Sequence, residues 1–365
     1  MTPVASRRVR SVLESPASGR SPAIPRPHGC GAAGPPHEGI TRHLPAVSAG
    51  TRILVLVPVL HGIANVYYRF PALSFLTFTG QDASRVLNNL CTADIAKLPL
   101  GQGVETFICE VRGRTIGHGL LFGTEHGLEF IGAHGQSSAI AAHADRYIIR
   151  EDCEPREEDD QSVGFWISGT SPGAEASWPL PRVDAPYLAR REEATHRCYQ
   201  VPWTVPAGRL LRVPVNEAEA WETQLQHQGL RPAEAADFQQ QRLAHGFPWF
   251  GIDFDASNLP QEADRDAEAI SFNKGCYLGQ ETVARLDALG QVQKKLVRWS
   301  LPGAKLPSPG SELRVGDRVV GKITSAVLAG SAESPQVLAL GIARRSHFEP
   351  GSVADWEGTP ATVLG

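Results

Sequence analysis

Beyond residue 290 the distribution of apolar residues changes to a pattern that few folds accommodate. The runs 295–301, 318–328 and 336–344 are β-prone, the stretches between them are rich in Pro and Gly, and no helical period intervenes. Short strands that alternate with turns and have no helix to cover a sheet face are expected to close into a separate all-β barrel, over 291–365.

Upstream, strands alternate with helices. Phe75-Leu76-Thr77-Phe78-Thr79-Gly80 is expected to be a strand ending in a glycine turn, with Asp82 then capping a helix that carries Ala83, Val86, Leu87 and Leu90 on one face. Segments 104–110, 115–122 and 128–132 are short β-prone runs separated by Gly, Ser137 to Tyr147 is Ala-rich with one apolar face, and 214–246 is expected to be helical. No strict strand-helix-strand repeat appears, so the class is α+β, with a 61–290 region of two interleaved subdomains and a C-terminal barrel. Residues 151–160 hold seven acids and one Arg around Pro155, and are expected to be a solvated loop opening a connector near 151–200.

The first 60 residues differ from the rest. Residues 1–52 contain 14 Gly or Pro and no sustained period, too little patterned apolar surface to offset their own ordering, and are expected to be a disordered tail. The apolar run 53–60 is eight residues long and broken by Pro58, against roughly 20 for a membrane span. The leader carries seven Arg and two Glu, which resembles an organelle transit peptide but equally suits translated sequence upstream of a true start. The remaining 313 residues carry about -9 of the total charge of -4, which argues against a nucleic acid gripped through bulk positive charge. Six Cys at 30, 91, 109, 153, 198 and 276 form no C-x-x-C pair and no zinc spacing, which suits reduced thiols in a cytoplasmic protein and predicts no metal site.

The stretch with most chemical content runs Ser271-Phe272-Asn273-Lys274-Gly275-Cys276-Tyr277-Leu278-Gly279-Gln280-Glu281, ending at Ala284-Arg285. Gly275 and Gly279 give the backbone unusual freedom, and Gln280–Leu289 is predicted to be a short helix closed by Gly290. Cys276 would then lie just before a helix N-terminus with Lys274 nearby, both of which favour a thiolate. Glu281 precedes Arg285 by four residues, the spacing of a pair on one helix face. On spacing alone, Cys276 is either a reactive thiol or a small buried hydrophobe in a tight bend.

The string Lys274-Gly275-Cys276-Tyr277-x-Gly279-Gln280-Glu281-x-x-Ala284-Arg285 resembles the signature of the YgfZ-type folate-binding proteins, relatives of the glycine-cleavage T-protein. Further resemblance lies in Thr79-Gly80-x-Asp82-Ala83, in Thr92-x-Asp94, in Arg242 with Gly246, Pro248, Gly251 and Asp253, and in Gly321-Lys322-Ile323-Thr324-Ser325. It covers the chain from about Phe70 to the end. The resemblance implies tetrahydrofolate or a derivative as cofactor, with Cys276 as the reactive residue and Glu262 facing the pterin, whose ring N–H and exocyclic amine offer two parallel donors. Arg242, Lys274 and Arg285 become candidates for the anionic folate tail, and Tyr277, Gln280, Glu281 and Asp94 join the expected binding set.

Two departures bear on mechanism. Where T-proteins carry G-G-x-x-D-D and use an aspartate in one-carbon transfer, this chain reads Gly113-Arg114-Thr115-Ile116-Gly117-His118, with His118 expected to be a strand-end residue. Ala93 stands where relatives carry Asn beside the aspartate that Asp94 matches. The resemblance thus implies a folate-binding protein supporting iron-sulfur cluster assembly or repair and cluster-dependent enzymes, including tRNA modification. The alternative is a tetrahydrofolate-dependent aminomethyltransferase of the T-protein type, so whether the chain is an enzyme stays open. Expected partners are the folate and iron-sulfur assembly proteins or cluster enzymes, with no direct nucleic acid and no membrane.

Removal of residues 1–60 is expected to leave both melting temperature and tetrahydrofolate affinity unchanged, because that segment offers no patterned face to a core. A large fall in melting temperature on truncation would show that the segment is structural.

Overall fold

A computed structural model describes residues 65–168, 188–192, 196–205, 207–290 and 292–365. The expected tail and its apolar run 53–60 lie outside the described residues, as does 169–187 of the expected connector.

Eleven strands form one sheet: β1 (Val66–Arg69), β2 (Leu73–Thr79), β3 (Gln102–Cys109), β4 (Thr115–Thr124), β5 (Gly127–Ala133), β6 (Glu154–Glu157), β7 (Ser162–Ser168), β8 (Leu188–Glu192), β9 (Arg197–Val201), β10 (Gly208–Pro214) and β11 (Arg231–Pro232). Their order is β11-β1-β7-β10-β9-β8-β3-β4-β5-β2-β6, and β1 with β11 is the one parallel pair among them. Side-chain alternation sorts the strands between layers. On β4, Leu120 and Phe122 enter a cluster with Trp166, Tyr199 and Leu210 of β7, β9 and β10, while Leu121 between them turns to the opposite face. There it meets Val86 and Leu87 of α1 (Ala83–Asn88) and Ile140 and Ala144 of α2 (Ser137–Asp145). The other half of the sheet is covered in the same way, since Phe165, Ile167, Leu211 and Val213 pack against Ala218 and Leu225 of α3 (Ala218–His227). Both halves therefore carry helices on one face and share an apolar interior on the other.

A buried carboxylate ties the halves together. Glu129 of β5 accepts hydrogen bonds from Tyr199 Oη (2.8 Å), Arg190 Nε (2.8 Å) and the Arg212 guanidinium. Burial would raise this carboxyl, but Arg212, Arg190 and Arg197 together hold it below its ordinary value.

The joint to the barrel is α4 (Ala235–His245). Phe238 and Leu243 stand five residues apart and so face different sides of this helix. Phe238 enters the shared interior among Phe70, Trp203 and Trp249, while Leu243 packs on Leu296, Val327, Leu338 and Leu340 of the barrel. Gly246, at φ +81°, ends the helix. The chain continues through α5 (Asp266–Ala269) and α6 (Gln280–Leu289) into β12 (Lys294–Pro302), β13 (Glu312–Val315), β14 (Arg318–Gly330), β15 (Pro335–Arg344), β16 (Val353–Trp356) and β17 (Thr359–Val363). These six close as β12-β15-β14-β13-β16-β17 around Trp299, Leu301, Ile323, Val337 and Val363. The α+β class and the C-terminal barrel are as the sequence predicts.

Three local expectations are corrected. The span 214–246 is two helices rather than one, because Gly229 takes φ +82° and the chain there turns into β11, which pairs with β1. The Asp82 side chain makes no helix cap; its Oδ2 accepts the Asp152 amide at 3.0 Å. The acidic stretch 151–160 is not a free loop, since it holds edge strand β6, Glu158 binds Arg212, and Asp159 Oδ1 accepts from Phe75 N and Ser137 Oγ, both at 2.7 Å. No helix among the described residues is long and apolar enough to cross a membrane.

The residues of the Arg242 and Gly321 motifs meet in one buried clasp. Arg242, 1% exposed, donates through Nη1 to Asp253 Oδ2 (2.5 Å) and the Phe247 carbonyl (2.8 Å), and through Nη2 to Ser325 Oγ (3.1 Å). Asp253 Oδ1 accepts from Ser325 Oγ (2.6 Å) and Thr324 Oγ1 (2.8 Å), so one ion pair fastens α4 and the 247–253 turn to the barrel. Removing one member of a buried pair strands the other charge. Asp253→Asn is therefore expected to lower stability by about 3–5 kcal/mol and Ser325→Ala by about 1 kcal/mol, read from urea unfolding midpoints. An Asp253→Asn protein within 1 kcal/mol of wild type would show that the clasp does not hold the joint.

Candidate functional site

The loop 271–279 is pinned at both ends. At its start, the Ser271 amide donates to the Thr92 carbonyl at 2.9 Å, and Lys274 buries its ammonium beneath the turn that follows α1. Lys274 Nζ donates to the carbonyls of Asn88 (2.8 Å), Cys91 (2.8 Å) and Ala93 (2.6 Å), which uses all three of its protons. Burial lowers the Lys274 pKa, with the Cys91 and Asp94 side chains opposing that fall. At the far end the Leu278 amide donates to the Asn89 carbonyl at 2.8 Å, and Gly279, at φ +80°, lies against the β3–β4 turn. A Cβ on Gly279 would sit 2.4 Å from Gly113 Cα, so this close approach needs glycine as much as the backbone angle does. Tyr277, 7% exposed, packs between these anchors, with its ring 5.2 Å from the Lys274 ammonium, and burial raises its hydroxyl pKa.

Cys276 lies between the pinned ends and is exposed. Cys91, Cys109, Cys153 and Cys198 are buried, and burial raises the first three thiols, Cys153 to about 11. Among the described cysteines, Cys276 is thus the one presented to solvent. It precedes α6 as predicted, but the Lys274 ammonium beside it in sequence is engaged by carbonyls of the α1 turn.

The other expected site residues lie in four places. Asp94 is exposed beside the Lys274 anchor, with Oδ1 accepting the Ala96 amide at 3.2 Å; Tyr277 belongs to the pinned loop itself, and half-buried Gln280 follows it as the first residue of α6. Glu281 and Arg285 lie exposed on α6. Arg242 belongs to the barrel clasp, with its guanidinium already engaged. Glu262 sits apart in the turn 260–263, where Oε2 accepts from Asn258 Nδ2 (2.6 Å) and the Leu259 amide (3.4 Å), with Lys294 Nζ at 3.3 Å. Oε1 makes no hydrogen bond among the described residues, which leaves one oxygen for an incoming donor.

His118 is not at a strand end. It lies inside β4, 2% exposed, with Nε2 2.8 Å from Glu105 Oε1, and its ring meets Phe107, Phe247 and Phe254. Arg265 grips the same carboxylate through Nε (2.8 Å) and Nη2 (2.6 Å). Neither partner was singled out in the sequence. The signals were a carboxylate within the β-prone run Val104-Glu105-Thr106-Phe107 and a lone cation among four acids at 262–268. Burial would raise Glu105, but the Arg265 and His118 hydrogen bonds outweigh it and hold the carboxyl at about 2.

A carboxyl below its unfolded value of about 4.3 contributes stability above that pH and loses it as pH falls through its folded value. Glu105→Gln is therefore expected to be less stable than wild type by about 3–5 kcal/mol at pH 7, a gap that narrows between about pH 4.5 and pH 2. A gap constant down to pH 2.5 would place the effect elsewhere than the ionised carboxylate.

No protein-family model matches the chain. The tRNA-modifying protein YgfZ of Yersinia enterocolitica is 28% identical over 251 residues, covering 66% of this chain and 72% of that protein. The protein of the same name from Shigella dysenteriae is 28% identical over 293 residues, covering 76% and 84%. The crystal structure of glycine cleavage system aminomethyltransferase T from Bartonella henselae has the same fold, with a TM-score of 0.72 at 16% identity over 83% of this chain and 86% of that one. In sequence the chain is thus similar to YgfZ proteins over about two thirds or more of its length, and its fold, closed barrel included, is that of the aminomethyltransferase.

Proposed function

We propose that the protein binds tetrahydrofolate or a derivative in the cytoplasm and supports iron-sulfur cluster assembly or repair, and through it cluster-dependent enzymes such as those that modify tRNA. The observation that carries this reading is the exposed Cys276 thiol on a loop held by Lys274 and Gly279. A thiol that serves packing is buried, as the other four described cysteines are. A thiol offered to a soft metal or a partner's thiol needs access and a fixed position instead. Cluster proteins or assembly factors are accordingly the partners proposed for this loop, with the cluster as cargo.

The folate part of the reading is supported by the aminomethyltransferase fold and by the free Oε1 of Glu262. One carboxylate oxygen with no internal donor, in a turn where the other is fixed, suits an N–H on the pterin edge. Folate itself would supply a one-carbon carrier, and the chain's residues would hold and orient it. The aminomethyltransferase alternative shares the fold, but it calls for a carboxylate where this chain has Gly117 and His118, and the His118 ring is enclosed by aromatic side chains and engaged by Glu105.

The test is a deletion strain assayed for cluster-dependent enzyme activity and complemented with variants, each also titrated with tetrahydrofolate. Cys276→Ser is expected to keep folate affinity and lose rescue, because a hydroxyl stays protonated near neutral pH. Glu262→Gln is expected to weaken tetrahydrofolate by about 1–3 kcal/mol, since the amide removes a charged acceptor. Full rescue by Cys276→Ser contradicts the thiol's role, unchanged calorimetric affinity in Glu262→Gln contradicts the pterin contact, and normal cluster enzymes in the deletion strain contradict the reading altogether.

A further inference from the structure

The turn 260–263 and the outer face of the barrel enclose a cleft of about 340 Å³, lined by Glu262, Lys294, Val319, Lys322, Ile342 and Arg344. Strand register puts its cations together. Lys294 of β12 lies directly opposite Arg344 of β15, and Lys322 of β14 lies opposite Ile342, two residues before Arg344 and hence on the same face. Like charges directly opposed on neighbouring strands destabilise a sheet, so this placement works against the fold.

The compensation present is incomplete. Glu262 Oε2 lies 3.3 Å from Lys294 Nζ and is the one carboxylate lining the cleft. Lys322 is exposed and makes no ion pair among the described residues; Glu312, its opposite on β13, is paired with Arg314 at 2.5 Å. Arg344 donates through Nε to the Val319 carbonyl at 2.9 Å. That bond orients the guanidinium plane and leaves both Nη groups without an acceptor among the described residues. The cleft lining thus sets three cations against one carboxylate beside Val319 and Ile342; Asp255, outside the lining, also acts on Lys294, and Lys322 and Arg344 have no carboxylate paired with them among the described residues.

We propose that this cleft binds a small molecule carrying a phosphate or pyrophosphate group, with its less polar body on Val319 and Ile342. A preset guanidinium fork matches two phosphate oxygens, and the two lysines add point charges that a dianion would balance. The site goes beyond the folate reading, although Glu262 borders both.

Lys322 and Arg344 are exposed, so Lys322→Ala and Arg344→Gln change the cleft without opening a core. Calorimetric titration of the full chain with inorganic pyrophosphate at constant ionic strength is expected to show one saturable site. Each substitution should weaken it about tenfold, the scale of one charge-assisted hydrogen bond. The ligand-free melting temperature of Arg344→Gln should equal or exceed that of wild type, because repulsion from Lys294 is relieved, and that of Lys322→Ala should stay close to wild type, since Lys322 lies opposite Glu312 and Ile342. Tetrahydrofolate affinity should not change. The proposal is overturned by the lack of saturable pyrophosphate binding to wild type, by wild-type affinity in both variants, or by a matching loss of tetrahydrofolate affinity, which would assign the cations to the folate's own carboxylates.

Discussion

The ammonium of Lys274 is the contact on which the candidate site depends. A buried lysine is unfavourable unless each of its protons finds an acceptor, and here the carbonyls of Asn88, Cys91 and Ala93 supply them. Those carbonyls lie where α1 has ended and the chain turns toward β3, a place where backbone acceptors have lost their helical donors. One side chain thus satisfies the end of a helix and fixes the start of the 271–279 loop. The Gly279–Gly113 approach fixes its end, and Cys276 is left outside because its neighbours on both sides are held in.

A second constraint acts on the whole molecule. The Arg242–Asp253 pair joins α4 to the barrel through Thr324 and Ser325, while Glu129 joins the two halves of the large sheet through arginines on β8, β9 and β10. Both are buried ion pairs whose geometry leaves few donors unmet, the condition under which such pairs can be kept. Motif residues far from Cys276 therefore serve to hold the frame in which the loop is carried.

Elements set by local pattern were legible in the sequence: α6 with its closing Gly290, the strands around Leu120 and Phe122, and the barrel. Functions set by distant partners were not. Arg242 and Lys274 read as cations available to a ligand because their acceptors, Asp253 and three carbonyls, are apparent only once the chain is folded. His118 read as a strand-end residue because Glu105 and Arg265 stand 13 residues before it and 147 after it in sequence. The like-charged cleft on the barrel depends on strand register, which pairs Lys294 with Arg344 across fifty residues of chain.

The central claim is that the Lys274 ammonium holds the loop that presents Cys276, and native-state hydrogen exchange at the Leu278 amide, bonded to Asn89, reads this directly. In Lys274→Met, exchange at Leu278 is expected to accelerate by roughly 10- to 100-fold, the equivalent of losing charge-assisted hydrogen bonds, while Ala339 in the barrel keeps its protection. Unchanged exchange at Leu278 in a folded Lys274→Met protein would show that the loop holds its place without the lysine, and would contradict the account.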